Sequence, residues 1–492
     1  MKTRTLKQLL LYNYRYLFAY AVILGFVAYF LGWQLGQIGP GLSTPEIATA
    51  ARHISLRNII ELPIYPVQAL LQWASIKVLG VSTLSLRLPS VLIALTVAFC
   101  SYNLLKKWFG KQTALLGTAI FISADWFLFT ARLGTGSIEL SLWLVLGLLC
   151  FTKLIEHKTQ WLVLFSVTII GLLFTPLGPY AAITLMASLL SCRVFRERAQ
   201  ETAIPYKIIS TLILIAGIAG AIYCSVTNIE FLKNILNISE LPTISMYFKN
   251  VFFNTAGIVA IFPDANPVIS PSGVLFVRFS EFIFILFGII MLWRTRVNRL
   301  NLTVLVLSVV LVLISGLSSG SRGGSVLLVP AVIYMTAGIR HLMHRWKRTF
   351  PKNPYARVVS FLPLGILFLC VVSLHYVSYF QLWPNQIATR TVFSRDLALI
   401  QKELNRPEYL NSSCSVITFD ENLRKLITAS NTTCEPYYES GKAASVTRAS
   451  IIPPEIDITG LKNDPNTVAR PLVSESKQNN VRWVVLTSKQ TQ

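Results

Sequence analysis

The chain has 492 residues, of which 53% are hydrophobic and only 13% charged, with a mean hydropathy of +0.57. A soluble globular protein carries about 25% charged residues, so this composition excludes one and describes an integral membrane protein. The formal net charge of +22 would point to nucleic acid in a soluble chain. Here the basic residues fringe apolar runs, as the orientation rule for membrane proteins requires, and no nucleic-acid partner is implied.

A helix needs about 17–25 apolar residues to cross a bilayer. Such runs recur near 15–33, 85–105, 112–130, 139–156, 161–175, 178–192, 208–225, 275–293, 301–317, 325–341 and 358–379, which predicts about eleven transmembrane helices. The first run is long enough to span and lacks a cleavage site, so it reads as an anchor and not as a signal peptide. Lys2, Arg4, Lys7 and Arg15 precede it. Lys106, Lys107 and Lys111 follow the second run, Lys153 and Lys158 the fourth, and Arg193, Arg196, Arg198 and Lys207 the sixth. Arg294, Arg296 and Arg299 follow the eighth, and Arg340, Arg345, Lys347, Arg348 and Lys352 the tenth. Every second loop is basic, which predicts a cytoplasmic N-terminus and, with an odd number of spans, an extracytoplasmic C-terminus in a multi-pass protein of the cell membrane.

Between the first two runs lies a polar loop, 34–84, far longer than the usual connection of about 4–6 residues. Ser43-Thr44-Pro45-Glu46 opens a helix: a hydroxyl cap, proline in the first turn and an acid near the positive end of the dipole. His53 and Glu61 follow on the same loop, and Pro63-Ile64-Tyr65-Pro66 starts a second amphipathic stretch through Trp73 to Gly80. Such a helix can lie on the membrane surface and wall a cavity. Ser85-Leu86-Arg87-Leu88-Pro89-Ser90 begins the second span; on spacing alone Arg87 is a snorkelling anchor.

Downstream, Phe129-Thr130-Ala131-Arg132-Leu133-Gly134-Thr135-Gly136-Ser137-Ile138-Glu139 joins two spans, and Gly171 to Pro179 (GLLFTPLGP) interrupts another pair. Ser321-Arg322-Gly323-Gly324-Ser325 through Pro330 opens a late span. The loop from Asn228 to Gly273 carries Glu230, Lys233, Glu240, Lys249 and Asp264.

The composition turns polar from Gln381. Arg395–Leu404 has a helical period, and Ser415–Phe419 and Val481–Leu486 read as short buried strands. The organisation expected is a membrane part, 1–380, followed by a small extracytoplasmic α/β domain, 381–492. Cys414 and Cys434 lie in this tail, where a disulfide is permitted if the tail is extracytoplasmic and two free thiols are the alternative.

An amphipathic segment, R-L-P-S, a span and then Lys106-Lys107-Trp108-Phe109-Gly110-Lys111 resemble the N-terminal half of the GT-C superfamily of integral-membrane glycosyltransferases. The branch most similar contains protein O-mannosyltransferases and bacterial aminoarabinose transferases. Arg132 and Glu139 fill two places of the family's next junction, and Arg322 to Pro330 resembles its R-Y-x-L-P-x-x-P segment. At Gly171–Pro179 the family's G-L-x-x-x-T-K-G-P lysine is missing. The resemblance implies a GT-C-like bundle and transfer of a sugar from a polyprenyl-phosphate donor, among membrane lipid, to an unidentified acceptor: lipid, glycan or protein.

That chemistry needs a base for the acceptor and positive charge at the departing phosphate. The family's first outer loop carries an Asp-Glu pair with a catalytic Asp. Pro45-Glu46 stands there, so Glu46 is the candidate base and activity itself is open. Arg132, Arg322 and Arg87 are candidates for the donor phosphate, with interfacial anchoring the alternative for each. Glu139 is expected to face Arg132 or a polar cavity, and His53, Glu61 and Asp264 are supporting candidates. Asp264 is a possible ligand for a divalent cation, but no spacing supports a metal site. A transporter or flippase of lipid-linked sugar would show repeats in matched halves, and no second copy of the 34–90 pattern is found. A non-catalytic homologue in envelope assembly is the third reading.

Overall fold

The computed structural model describes residues 25–36, 41–156, 160–238, 242–256, 279–296, 298–317, 326–349, 359, 361–394 and 396–404, and in the tail 414–417, 420–430, 434–437, 449–452, 467–473 and 481–488. After a helix α1 at 25–32, the long loop folds into a two-residue strand β1 (Leu42–Ser43) and helices α2 (Thr44–Arg52), α3 (Leu56–Glu61) and α4 (Pro66–Leu79). The expected helix start is at Ser43: its backbone is extended, Pro45 stands in the first turn and Glu46 follows. The second amphipathic stretch is α4, which ends where Gly80 takes a positive φ.

The bundle continues with α5 (Thr83–Phe109), α6 (Lys111–Ser123), α7 (Asp125–Arg132), α8 (Ile138–Ile155), α9 (Trp161–Leu173), α10 (Gly178–Leu190), α11 (Arg193–Glu201) and α12 (Ile204–Thr227). Then come α13 (Ile229–Leu236), α14 (Ile244–Ala256), α15 (Phe279–Arg294), α16 (Arg299–Ser315), α17 (Leu328–Thr349) and α18 (Phe361–Tyr376). Among the described residues, α5, α8, α12 and the continuous helical stretch 362–385 are long and apolar enough to cross a membrane. The pair α6 and α7, bent by 63°, makes a fifth crossing if taken as one span. The protein is therefore multi-pass. Two of the eleven expected runs are shorter than a crossing, α9 and α10 with 13 residues each, and α16 with 17 stands at the lower limit. The break between α9 and α10 falls at the Pro176–Gly178 interruption, where Leu177 is left-handed.

A continuous core runs through α5, α6, α7, α8 and α17, filled by Phe121, Phe127, Phe129, Trp126, Leu148 and Phe151. In α15 and α17 glycine permits a close crossing. A Cβ on Gly288 would collide with the Tyr334 carbonyl, and one on Gly338 with that of Phe284. Each glycine faces the carbonyl four residues before the other, so the two helices cross with backbones in contact at Gly288 and Gly338. Small residues at such crossings are the usual device in lipid, where packing and not hydrophobicity drives association.

Beyond α18 a π-helical segment, Val377–Leu382, continues the helix before strand β2 (Phe393–Ser394) pairs antiparallel with β1. The tail holds β3 (Cys414–Ile417), β4 (Cys434–Tyr437), β5 (Ala449–Ile452), β6 (Thr467–Val473) and β7 (Val481–Ser488) in one sheet of order β4-β3-β5-β7-β6. β3 is parallel to β4 and β5, and β7 is antiparallel to β5 and β6. Helix Asp396–Leu404 falls on the expected helical stretch, β7 covers the second expected strand and β3 covers Ser415–Ile417 of the first, while Arg395, Thr418 and Phe419 lie outside the described residues. Cys414 and Cys434 are partners in register; the expected disulfide concerns side chains outside the described ones.

This tail docks on the long loop. Leu423, Leu426 and Ile427 of the helix Glu421–Ser430, with Leu397 and Ile400, share an apolar cluster with Leu42, Ile47, Ala50, Ala51, Ile76 and Leu86. Gln401 also donates to the Val81 carbonyl at 2.8 Å.

Candidate functional site

Glu46 lies in the first turn of α2 and is buried. Its Oε2 accepts from the Ser43 backbone N–H and hydroxyl, each at 3.0 Å. Arg87 grips the carboxylate with two parallel bonds, Nε to Oε1 at 2.8 Å and Nη2 to Oε2 at 3.1 Å, the fork geometry that suits guanidinium to carboxylate. A fifth donor, the Gly134 N–H, reaches Oε1 at 3.0 Å. The remaining reach of Arg87 goes to the carbonyls of Gly41 at 2.7 Å and Leu35 at 3.5 Å. Burial by itself would raise the Glu46 pKa, but the Arg87 guanidinium and the backbone donors outweigh it and hold the carboxyl below its ordinary range. It is a charged, fully coordinated carboxylate, not a free one.

The turn after α7 reaches this knot because Gly134 has no side chain. A Cβ there would stand 2.9 Å from the Leu86 carbonyl and 3.4 Å from the Gln72 amide. Long loop, α5 and the α7–α8 turn thus meet on one carboxylate.

Arg132 closes α7 and is also buried. Its Nη1 donates to the Phe30 carbonyl at 2.8 Å and Nη2 to the Trp33 carbonyl at 2.6 Å. It therefore caps the C-terminal end of α1, where cations are favoured. Its guanidinium lies over the rings of Tyr379 and Phe380, 5.3 and 5.1 Å from their centroids, a cation–π seat. Tyr379 sits within electrostatic reach of Arg132, Arg87 and Glu46 together, so the candidate acid and these two arginines occupy one neighbourhood.

Of the two surroundings expected for Glu139, Arg132 or a polar cavity, Arg132 is not among its hydrogen-bond partners. Glu139 accepts from the backbone N–H of Val67 at 3.3 Å and of Gln68 at 2.9 Å, and from Trp143 Nε1 at 3.1 Å. It thereby anchors the N-terminus of α4, whose first donors need an outside acceptor. The Gln68 amide beside it is fully buried and has no hydrogen-bond partner among the described residues.

His53 is buried, with Nδ1 2.6 Å from Gln72 Oε1, while Gln72 donates to the Leu86 carbonyl. Burial, reinforced by Arg52 and only partly offset by the Gln72 hydrogen bond, pushes its pKa down to about 4. The folded value lies below the unfolded one, so the stabilisation is present above the ordinary histidine pKa and is lost as pH falls toward the folded value. Between about pH 7 and pH 5 the chain should lose on the order of 2 kcal/mol from this group. Unfolding midpoints measured across that range should fall in the parent and much less in a His53→Gln variant.

Glu61 is exposed and paired with Arg57 at 2.8 Å on its own helix, remote in character from a site residue. Arg322 and Asp264 lie outside the described residues. Among the described residues no cluster of His, Cys, Asp or Glu has the arrangement of a metal site.

One cluster was missed by sequence reasoning. Asp125, at the bend between α6 and α7, lies 3.1 Å from His375 Nδ1, and His375 Nε2 lies 3.0 Å from Glu281 Oε1. Ser378 donates to Asp125 at 2.8 Å. All four are buried, and they join α7, α15 and α18 next to the π-segment that carries Tyr379. The signal was available: ionisable residues inside apolar runs face partners or cavities.

A multi-pass helical membrane protein, with its first long loop folded back and tied by an acid to two spans, is the class these features define. The chain has the GT-C fold, and two comparisons support its resemblance to GT-C glycosyltransferases. Residues 63–223 match the family described as dolichyl-phosphate-mannose-protein mannosyltransferase. The structure is similar to ArnT from Cupriavidus metallidurans bound to undecaprenyl phosphate, with a TM-score of 0.53 and 13% identity over 96% of this chain and 98% of that one. The apo form of the same protein gives 0.51 and 14%, over 96% and 97%. An oligosaccharyltransferase from Archaeoglobus fulgidus, tethered to an acceptor peptide, gives 0.50 and 12%, over 86% and 64%. Comparison with curated protein sequences finds no match.

Proposed function

We propose that the chain is a membrane glycosyltransferase that takes a sugar from a polyprenyl-phosphate donor and passes it to a lipid, glycan or protein acceptor at the extracytoplasmic face. The observation that carries the reading is the Glu46–Arg87–Gly134 knot, which gathers the first outer loop and the α7–α8 turn at one end of the spans. The family match over 63–223 and a fold shared with a protein bound to undecaprenyl phosphate support it. In this proposal the membrane part, 1–380, contributes about eleven apolar segments, the short α9 and α10 among them, with a cytoplasmic N-terminus, and the tail, 381–492, is an extracytoplasmic α/β domain that braces the loop.

Within the site, Glu46 has a positioning role, because five donors occupy its carboxylate. To act as base it would have to exchange Arg87 for the acceptor. Arg132 and Arg322 are the proposed contacts of the donor phosphate, with Arg87 holding the acid in place. Pro45 in the family's Asp position, together with the saturated Glu46, favours a second reading, a non-catalytic homologue in envelope assembly.

Transfer by the purified full-length chain separates the two. Given a radiolabelled sugar on polyprenyl phosphate and an envelope extract, the chain should release label into acceptor material, and Arg132→Gln should cut the rate by about tenfold or more. No transfer above a protein-free control would favour the non-catalytic homologue.

A further inference from the structure

The far end of α5 opens on a second polar site. Phe109 lies 22 positions beyond Arg87 on one helix, about 33 Å along its axis, so this end belongs to the opposite membrane face. There a cavity of about 480 Å³ lies between the start of α6 and the end of α17. Lys111, Arg340, His344 and Lys347 line it, and among the described residues no carboxylate does. A volume of this size falls in the range of small-ligand sites.

Two features separate it from the ordinary solvated lysines of a basic membrane face. First, Arg340 is held in place: its Nη1 donates to the Trp108 carbonyl and its guanidinium lies 5.8 Å from the Phe109 ring centroid. Second, the cavity takes in the N-terminus of α6, which has no side-chain cap. Gly110 stands there at φ +86° with open space where a Cβ would be. The first backbone N–H groups of a helix lack internal partners and favour an anion. Basic side chains, the first N–H groups of α6 and the apolar flank of Phe109 and Met343 together suit a phosphate group at the boundary of hydrocarbon and water.

We propose that this cavity binds a phosphate ester or phosphate ion at the membrane face opposite the Glu46 knot, with Lys111, Arg340 and Lys347 as its cationic ligands and His344 as a further hydrogen-bonding group. The phosphate comes either from the headgroup of an anionic phospholipid or from solution. The site is independent of the proposed transfer reaction and stands if that reading fails.

Native mass spectrometry of the full-length chain in detergent, titrated with phosphatidylglycerol and with phosphatidylcholine, gives the lipid arm. Thermal midpoints with added inorganic phosphate give the soluble arm. Preferential retention of phosphatidylglycerol, or a phosphate-dependent rise in midpoint, is expected, and which arm responds identifies the source. The Lys111→Gln/Lys347→Gln pair should weaken that response about tenfold, while Lys106→Gln/Arg299→Gln, on the same basic face but outside the cavity, should change it less than about twofold. The proposal is overturned if neither arm responds, if the cavity pair binds as the parent does, or if the control pair loses as much.

Discussion

Replacing Arg87 alone by leucine should destabilise the folded chain by about 3–5 kcal/mol, because it strands the Glu46 carboxylate in a dry interior. Glu46→Leu alone should cost a similar amount, since it leaves the guanidinium buried opposite the Gly41 and Leu35 carbonyls. The double replacement should cost much less than the sum. Apolar residues of similar volume often substitute for a whole buried pair with little loss, and the residual cost is that of the Ser43 and Gly134 donors left without an acceptor, about 1 kcal/mol each. A double-mutant cycle on unfolding midpoints in detergent should therefore return a coupling of about 3 kcal/mol or more. Strictly additive costs would mean that the two side chains do not meet. The same cycle read by transfer rate separates a brace from a base: if Glu46 only positions, the double variant retains activity in proportion to its folded fraction.

A comparable loss is expected at His375. Changing it to leucine removes the imidazole that stands between Asp125 and Glu281 and leaves two carboxylates in the interior of a membrane bundle. Uncompensated acids there are costly, so the variant should lose about 3–5 kcal/mol or fail to accumulate. Making the same change together with Asp125→Asn and Glu281→Gln should restore most of the loss, since amides remove the charge and retain hydrogen-bonding groups for Ser378 and the Trp126 N–H. Failure of the triple variant to recover would show that shape, and not charge, makes His375 necessary. The consequence reaches the candidate site. Asp125 begins the eight-residue helix that ends in Arg132, and Ser378 precedes the Tyr379 ring on which Arg132 rests.

What could be read from the residues was local. The capped start of α2, the Gly80 end of α4 and the long apolar α5 each have a signal within a few positions of the feature. The partners that give these elements meaning lie far away in the chain. Glu46 and Arg87 are separated by 41 positions, Glu46 and Gly134 by 88, and Val81 and Gln401 by 320. Periodicity carries no information about which polar groups will share an interior. Arg87 shows the difficulty. An arginine at the outer end of a span is by default an anchor whose head reaches water. It turns inward only because an acid with backbone donors of its own waits there to offset the desolvation. Glu139 repeats the lesson. Its location left a pairing with Arg132 open, yet the backbone donors at the start of α4 satisfy Glu139 and the carbonyls at the end of α1 satisfy Arg132 separately. The docking of the tail on the long loop was equally closed to inspection, since Leu423, Leu426 and Ile427 read as one face of a short helix without naming what they cover.

The most direct test of the central claim is photolabelling of the purified chain with a polyprenyl-phosphate analogue that carries a diazirine on its first isoprene unit. The account predicts adducts on the segments that border the Glu46–Arg87–Arg132 neighbourhood, at α1, the start of α5 and the Leu133–Ser137 turn, and displacement of those adducts by unlabelled polyprenyl phosphate. Labelling spread over the lipid-facing surface of α12, with no competition by the unlabelled carrier, would contradict it.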